Sequence, residues 1–180
     1  MNNRKLIYLV GFLFVFSFLI PPTGWTQPRP EAKAPIITNA FAVNRGGGPY
    51  GYIWKIYIEA EAGDAPMSRI AMVVDEPGFG HYPTDWLMVK PQYQKNLKGY
   101  IQWNMHSLTG SFPEWTQLTL KVSIIDKAGN EGNVAVFPFT IESGIANQYK
   151  YQLPAPFDQG NIPKLGYVGI DLYPPGGGGF

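Results

Sequence analysis

The chain has 180 residues, 45% of them hydrophobic and 15% aromatic, with 21 glycines, 17 prolines and no cysteine. This is enough apolar material for one domain with a real core, and it argues against disorder throughout. The formal net charge of +1 leaves no electrostatic footprint for nucleic acid or an anionic membrane surface. The missing thiols exclude a CxxC site, a cysteine nucleophile, a cysteine metal site and a lipidated cysteine anchor.

At the start of the chain, Arg4 and Lys5 precede an uncharged apolar run of 15 residues, Leu6 to Ile20, followed by Pro21-Pro22-Thr23-Gly24. A basic region, a short apolar stretch and small helix-ending residues form the layout of a secretory signal peptide. An uncleaved anchor is the rival reading, but the run falls short of the roughly 20 residues a helix needs to cross the hydrocarbon core. The expected division is a signal peptide over residues 1–26, with the mature start between Trp25 and Arg29, and a flexible leader over 27–34. Membrane contact is then expected only through the signal segment, if it stays uncleaved. An exported chain without cysteine must be held together by packing alone, which points to the periplasm or the cell surface.

The folded domain is expected over 35–143. Ile37, Phe41 and Val43 keep alternate spacing in a first strand that opens with Pro35, which suits a sheet edge. Residues 44–51 contain Gly46-Gly47-Gly48 and predict a loop, because consecutive glycines gain little from strand or helix. Next, Trp54, Ile56, Ile58 and Ala60 alternate with Lys55, Tyr57, Glu59 and Glu61, the pattern of a strand with one buried and one wet side. Gly63-Asp64-Ala65-Pro66 turns the chain into a partner strand, 68–74, by a hairpin or a sandwich corner.

The longest internal loop, residues 75–85, combines Asp75, Glu76, Phe79, His81, Tyr82 and Asp85. Trp86–Val89 is a short apolar strand, Tyr100–Met105 alternates again, and turn-rich residues 110–115 lead to Leu118–Ile125. There Thr119, Lys121 and Ser123 alternate with apolar side chains. The block Asp126-Lys127-Ala128-Gly129-Asn130-Glu131-Gly132-Asn133 supplies turn chemistry before a return strand, 134–141. About seven short strands and no helical period predict an all-β, antiparallel β-sandwich. Residues 144–180, with five prolines, scattered aromatics and a terminal Gly-Gly-Gly-Gly-Phe, predict an extended tail in which 162–172 has some strand character.

The Asp126-Lys127-Ala128-Gly129-Asn130 turn resembles the closing hairpin of bacterial immunoglobulin-like domains. Pro35-Ile36-Ile37 and the strand from Trp54 to Ala62 with Gly63-Asp64 resemble the early strands of the cadherin-like and fibronectin-type-III-like members. The similarity covers about 35–143 and implies an immunoglobulin-like sandwich. It is nearly silent on function, because this architecture hosts many roles.

The turn is accounted for by Asp126 accepting backbone N–H bonds and by the left-handed tolerance of Gly129 and Asn130. The relatives suggest an alternative, calcium at a domain end held by Glu61, Asp64, Asp126 and Asn130, although calcium requires six to eight oxygens. Catalysis would pair His81 with Asp75, Glu76 or Asp85; the other histidine is His106. No nucleophile elbow, metal-binding His spacing or phosphate loop accompanies them, so no catalytic residue, metal or cofactor is expected and a hydrolase ranks last. Rings predicted to face outward, Tyr57 and Tyr100, with Phe79, Tyr82 and Trp86, suggest stacking on sugar. The leading expectation is a non-enzymatic exported module that contacts an envelope or surface protein. Its alternative is a carbohydrate-binding module for a polysaccharide, with the ligand-binding candidates Phe79, His81, Tyr82, Trp86, Tyr57 and Tyr100.

Overall fold

A computed structural model describes residues 32–48, 51–105, 115–141 and 152–172. The signal segment, His106, and residues 144–151 and 173–180 of the expected tail lie outside the described residues. Two sheets pack face to face. One holds β1 (Ile36–Gly48), β2 (Gly51–Glu61), β6 (Asn96–Met105) and β9 (Lys164–Val168), in the order β1-β2-β6-β9. The other holds β3 (Met67–Glu76), β4 (Gly80–His81), β5 (Asp85–Met88), β7 (Gln117–Asp126) and β8 (Ala135–Thr140). Its order is β4-β3-β7-β8, with β5 also paired to β3. All pairings are antiparallel except β6 with β9.

The period-2 pattern decides which side chains enter the core. From β2 these are Trp54, Ile56, Ile58 and Ala60; from β6, Leu97, Ile101, Trp103 and Met105; from β7, Leu118, Leu120, Val122 and Ile124. Ile70, Met72 and Val74 of β3 close the layer from the facing sheet. Each of the larger of these side chains contributes about 2 kcal/mol on burial, which lets a disulfide-free sandwich hold together.

Several expectations change. Gly46–Gly48 do not form a separate loop: β1 runs through them and pairs Gly48 with Gly51 after a register shift. Glycine's poor strand propensity is overridden by the ladder that β2 offers. The strand after Gly63-Asp64 does not pair with β2 but crosses to the other sheet, so that connection is the sandwich corner. In the leader, Lys33 N–H donates to Asp64 Oδ2 at 2.7 Å and Asp64 N–H donates to the Lys33 carbonyl at 2.9 Å.

The segment expected to be an extended tail instead belongs to the sandwich over 152–172. β9 adds in parallel to β6, and Phe157, Leu165, Val168, Ile170 and Leu172 are buried. Proline and glycine density had masked a strand that lies on an edge, where such residues are tolerated. Trp103 Nε1–H donates to the Ile170 carbonyl at 3.1 Å, so the indole of the central core is satisfied by this same segment.

Candidate functional site

The loop over 75–85 folds as a small hairpin. Gly78 and Gly80 adopt φ of +86° and +115°, Phe79 N–H donates to the Glu76 carbonyl, and β4 pairs back on Asp75 and Glu76. The reversal sorts the loop's chemistry between two sides of the sheet. Glu76 is buried and accepts from Tyr82 Oη at 2.5 Å. Asp85 Oδ2 accepts from Gly169 N–H at 2.7 Å and its Oδ1 from Trp86 N–H at 2.8 Å. Of the three carboxylates that sequence paired with His81, only Asp75 meets it.

Asp75 stands on the outer face of β3 between His81 Nδ1 and Lys121 Nζ, the latter at 2.5 Å. Hydrogen bonds from Lys121 and then His81 hold its carboxyl below the usual carboxylate value. Farther along this face, Ser123 Oγ donates to Glu131 Oε1 at 2.5 Å. These groups rim a groove of about 330 Å³ whose floor includes Ala71 and Val73 and whose opposite walls include Trp86 and Val134. Alternation carries the apolar surface outward in both directions. Trp86 is 46%, Met88 67%, Val134 50% and Val136 55% exposed. The Arg69 guanidinium lies 4.4 Å from the Trp86 ring centroid.

The six predicted ligand contacts separate. His81 and Trp86 border the groove. Tyr82 is buried beneath Phe79, the two rings stacked at 4.7 Å. Tyr57 does face out from its sheet, as alternation requires, but Phe157 covers it at 5.6 Å and it is buried. Tyr100 is half-buried beside Tyr57, with Lys55 Nζ 4.5 Å from its ring centroid. Arg69, Met88, Lys121, Val134 and Val136 were missed. The alternation in 68–74 and 118–125 placed some of them outward, but the β3–β7 and β3–β5 registers that join them are set only by folding.

Three of the four calcium candidates are engaged within the protein. Asp126 Oδ1 accepts from Ala128 N–H and Asn130 N–H, both at 2.8 Å, and its Oδ2 accepts from Asn130 Nδ2 at 2.9 Å. Asp64 holds Lys33, as above, and Glu61 is exposed at the end of β2. Gly129, at φ +89°, supplies the left-handed position that the turn needs. Burial pushes the Asp126 carboxyl up, but the bonds from Asn130, Ala128 and Gly129 outweigh it and hold the group below its ordinary value.

Replacing Asp126 with Ala is expected to cost about 2 kcal/mol, the scale of hydrogen bonds to a charged acceptor. The contribution is complete above the unfolded carboxylate value of about 3.9 and is lost as pH falls through the lower folded-state value. Thermal melts from pH 7 to pH 2 should therefore show the gap between wild type and Asp126→Ala closing only below about pH 4. A gap independent of pH in that range would contradict this account.

No family model matches the chain, and no curated protein matches it.

Proposed function

We propose that the chain is a non-enzymatic, immunoglobulin-like contact module of an exported protein, and that it holds a partner protein on the outer face of its five-stranded sheet. The strand order supports the immunoglobulin-like architecture in that reading. β1-β2-β6 facing β3-β7-β8 has the same order as the A-B-E and C-F-G strands of an immunoglobulin sandwich. β4 and β5 flank β3 on the side where the variable type adds C′. β9 occupies the D place, although it comes from the far end of the chain and runs parallel.

The carrying observation for the second part is the exposed cluster of Trp86, Arg69 and Met88, continued across the face by Val134 and Val136. Trp, Arg and Met are the side chains enriched at protein interfaces, and Trp and Arg dominate their energetics. Rim charges of both signs, Asp75, Lys121 and Glu131, would orient a partner. A sugar platform draws less support, since each proposed ring already has a neighbour: Tyr57 under Phe157, Phe79 on Tyr82, Arg69 on Trp86.

Photo-crosslinking from Met88 in expressing cells should identify the partner, and calorimetry with the purified partner gives the affinity. Trp86→Ala and Arg69→Ala are each expected to weaken binding by about 30-fold, the scale of an interface hot spot, while Lys55→Ala on the other sheet leaves it unchanged. Equal affinity of wild type and both variants would overturn the reading. Retention on an insoluble polysaccharide that Trp86→Ala abolishes would favour the carbohydrate reading instead.

A further inference from the structure

The two sheets leave an open seam along the side where β1 and β8 are both edge strands. A groove of about 550 Å³ lies there, lined by residues 40–43 of β1, Trp54 and residues 135–139 of β8. Its origin is in the sequence. Ala40 and Ala42 occupy the alternate positions of β1, where β2 places Ile58 and Ile56 opposite them. The small side chains leave unfilled room above Trp54.

The seam has two unusual features. The indole Nε1 of Trp54 is buried and finds no acceptor among the described residues. A buried donor without a partner carries a desolvation penalty that native proteins rarely leave standing. The free edge of β1 is also unguarded: Ile36 to Val43 contain no charge and no proline, the devices that normally blunt an edge. At one end the edge is occupied by a side chain acting as a strand would. Ile37 N–H donates to Asn133 Oδ1 at 2.7 Å, and Asn133 Nδ2 donates back to the Ile37 carbonyl at 3.1 Å. Beyond that point no ladder joins β1 to β8.

We propose that this seam receives an extended peptide segment of a partner protein, which adds along the free edge of β1, seats apolar side chains over Ala40 and Ala42 and gives an acceptor to Trp54 Nε1. The Asn133 amide shows the donor and acceptor pair that this edge takes. The opposite edge is less suited. Pro138 keeps β8 in its ladder only by turning its missing N–H outward, which removes a donor from that edge. Main-chain bonds supply affinity and alternate side-chain pockets supply selectivity in strand addition. With no charged residue among the described residues that line the seam, the guest's inward positions must be uncharged. This surface opens on a different side of the sandwich from the face around Trp86, and only Val136 borders both.

The test selects a phage-displayed library of random octapeptides on the purified protein and resynthesises the enriched sequences. Enrichment of peptides with alternating uncharged apolar residues is expected. Their binding should shift the Trp54 indole resonance, identified by its loss in Trp54→Phe, and protect the amides of 40–43 from exchange. Ala42→Leu fills the groove and retains the indole, and is expected to weaken binding at least about tenfold, while its thermal melt shows it folded. N-methylation of alternate guest amides should have a similar effect, and Trp86→Ala should have none. Lack of enrichment, or binding that tolerates both Ala42→Leu and N-methylation, would overturn the proposal. So would a concentration-dependent dimer that Ala42→Leu dissociates, which would give the seam to a second copy of the chain.

Discussion

Ending the chain after Ser143 is expected to abolish cooperative folding. The removed segment buries Phe157 over Val43 and Tyr57, and sends Leu165, Val168, Ile170 and Leu172 into the main core. At about 2 kcal/mol for each side chain the loss is about 10 kcal/mol, comparable to the whole stability of an ordinary domain. The cut would also leave buried groups unpaired. Tyr100 N–H loses the Pro163 carbonyl at 2.9 Å, and Trp103 Nε1–H loses Ile170. Circular dichroism melts should show no sigmoidal transition for this truncation, whereas a chain ending at Leu172 keeps all of these contacts and should melt as a unit. A cooperative transition within a few degrees of wild type for the shorter chain would show that β9 is an accessory. Tail deletion is consequently a poor test of partner binding, because it removes part of the fold along with any contact surface.

The second large effect is expected at Gly99 on β6. A Cβ there would stand 2.6 Å from the Leu165 side chain and 2.9 Å from the Pro163 carbonyl oxygen. The side chain has some room to give, but the carbonyl belongs to backbone that bonds Tyr100. Gly99→Ala should therefore lift β9 from the sheet edge and cost about 3 kcal/mol, in the range of overpacking substitutions. Leu165→Ala alone should cost about 3 kcal/mol through the cavity it leaves. Because the two changes share one contact, the double variant should be less destabilised than the sum, by 0.5 kcal/mol or more on the scale of coupled neighbours. Strict additivity in urea unfolding would mean that the clash is absorbed elsewhere.

These expectations show where sequence reading succeeded. Leu118–Ile125 alternates cleanly, and the structure buries Leu118, Leu120, Val122 and Ile124 while Thr119 and Lys121 stay outside the core. Ser123 follows the outward phase but is buried as well, since it bonds to Glu131. The Asp126 turn needed only local chemistry, an acceptor side chain followed by a glycine at positive φ. The inward face of β2 was legible for the same reason. The outward face was not. Tyr57 obeys alternation and is nevertheless buried, because Phe157, a hundred residues farther on, lies over it.

The candidate surfaces divide in the same way. Trp86 and His81 stood out through their residue types, but the groove they border exists only because β3 pairs with β7, which sets Lys121 opposite Val73 and Ser123 opposite Ala71. The seam above Trp54 was invisible, since two alanines in a strand carry no signal until the facing sheet shows the space they leave.

By itself, the sequence determined the all-β class, the inward faces of β2, β6 and β7 and the chemistry of the closing turn, all of which depend on neighbours within a few residues. Only the tertiary structure decided the sheet to which each strand belongs, the recruitment of residues 152–172 into the core, and the side chains that gather on an outer face. Those outcomes depend on register and layer packing between distant segments, which a period-2 pattern leaves open because it tells a strand which side to bury but not against which partner.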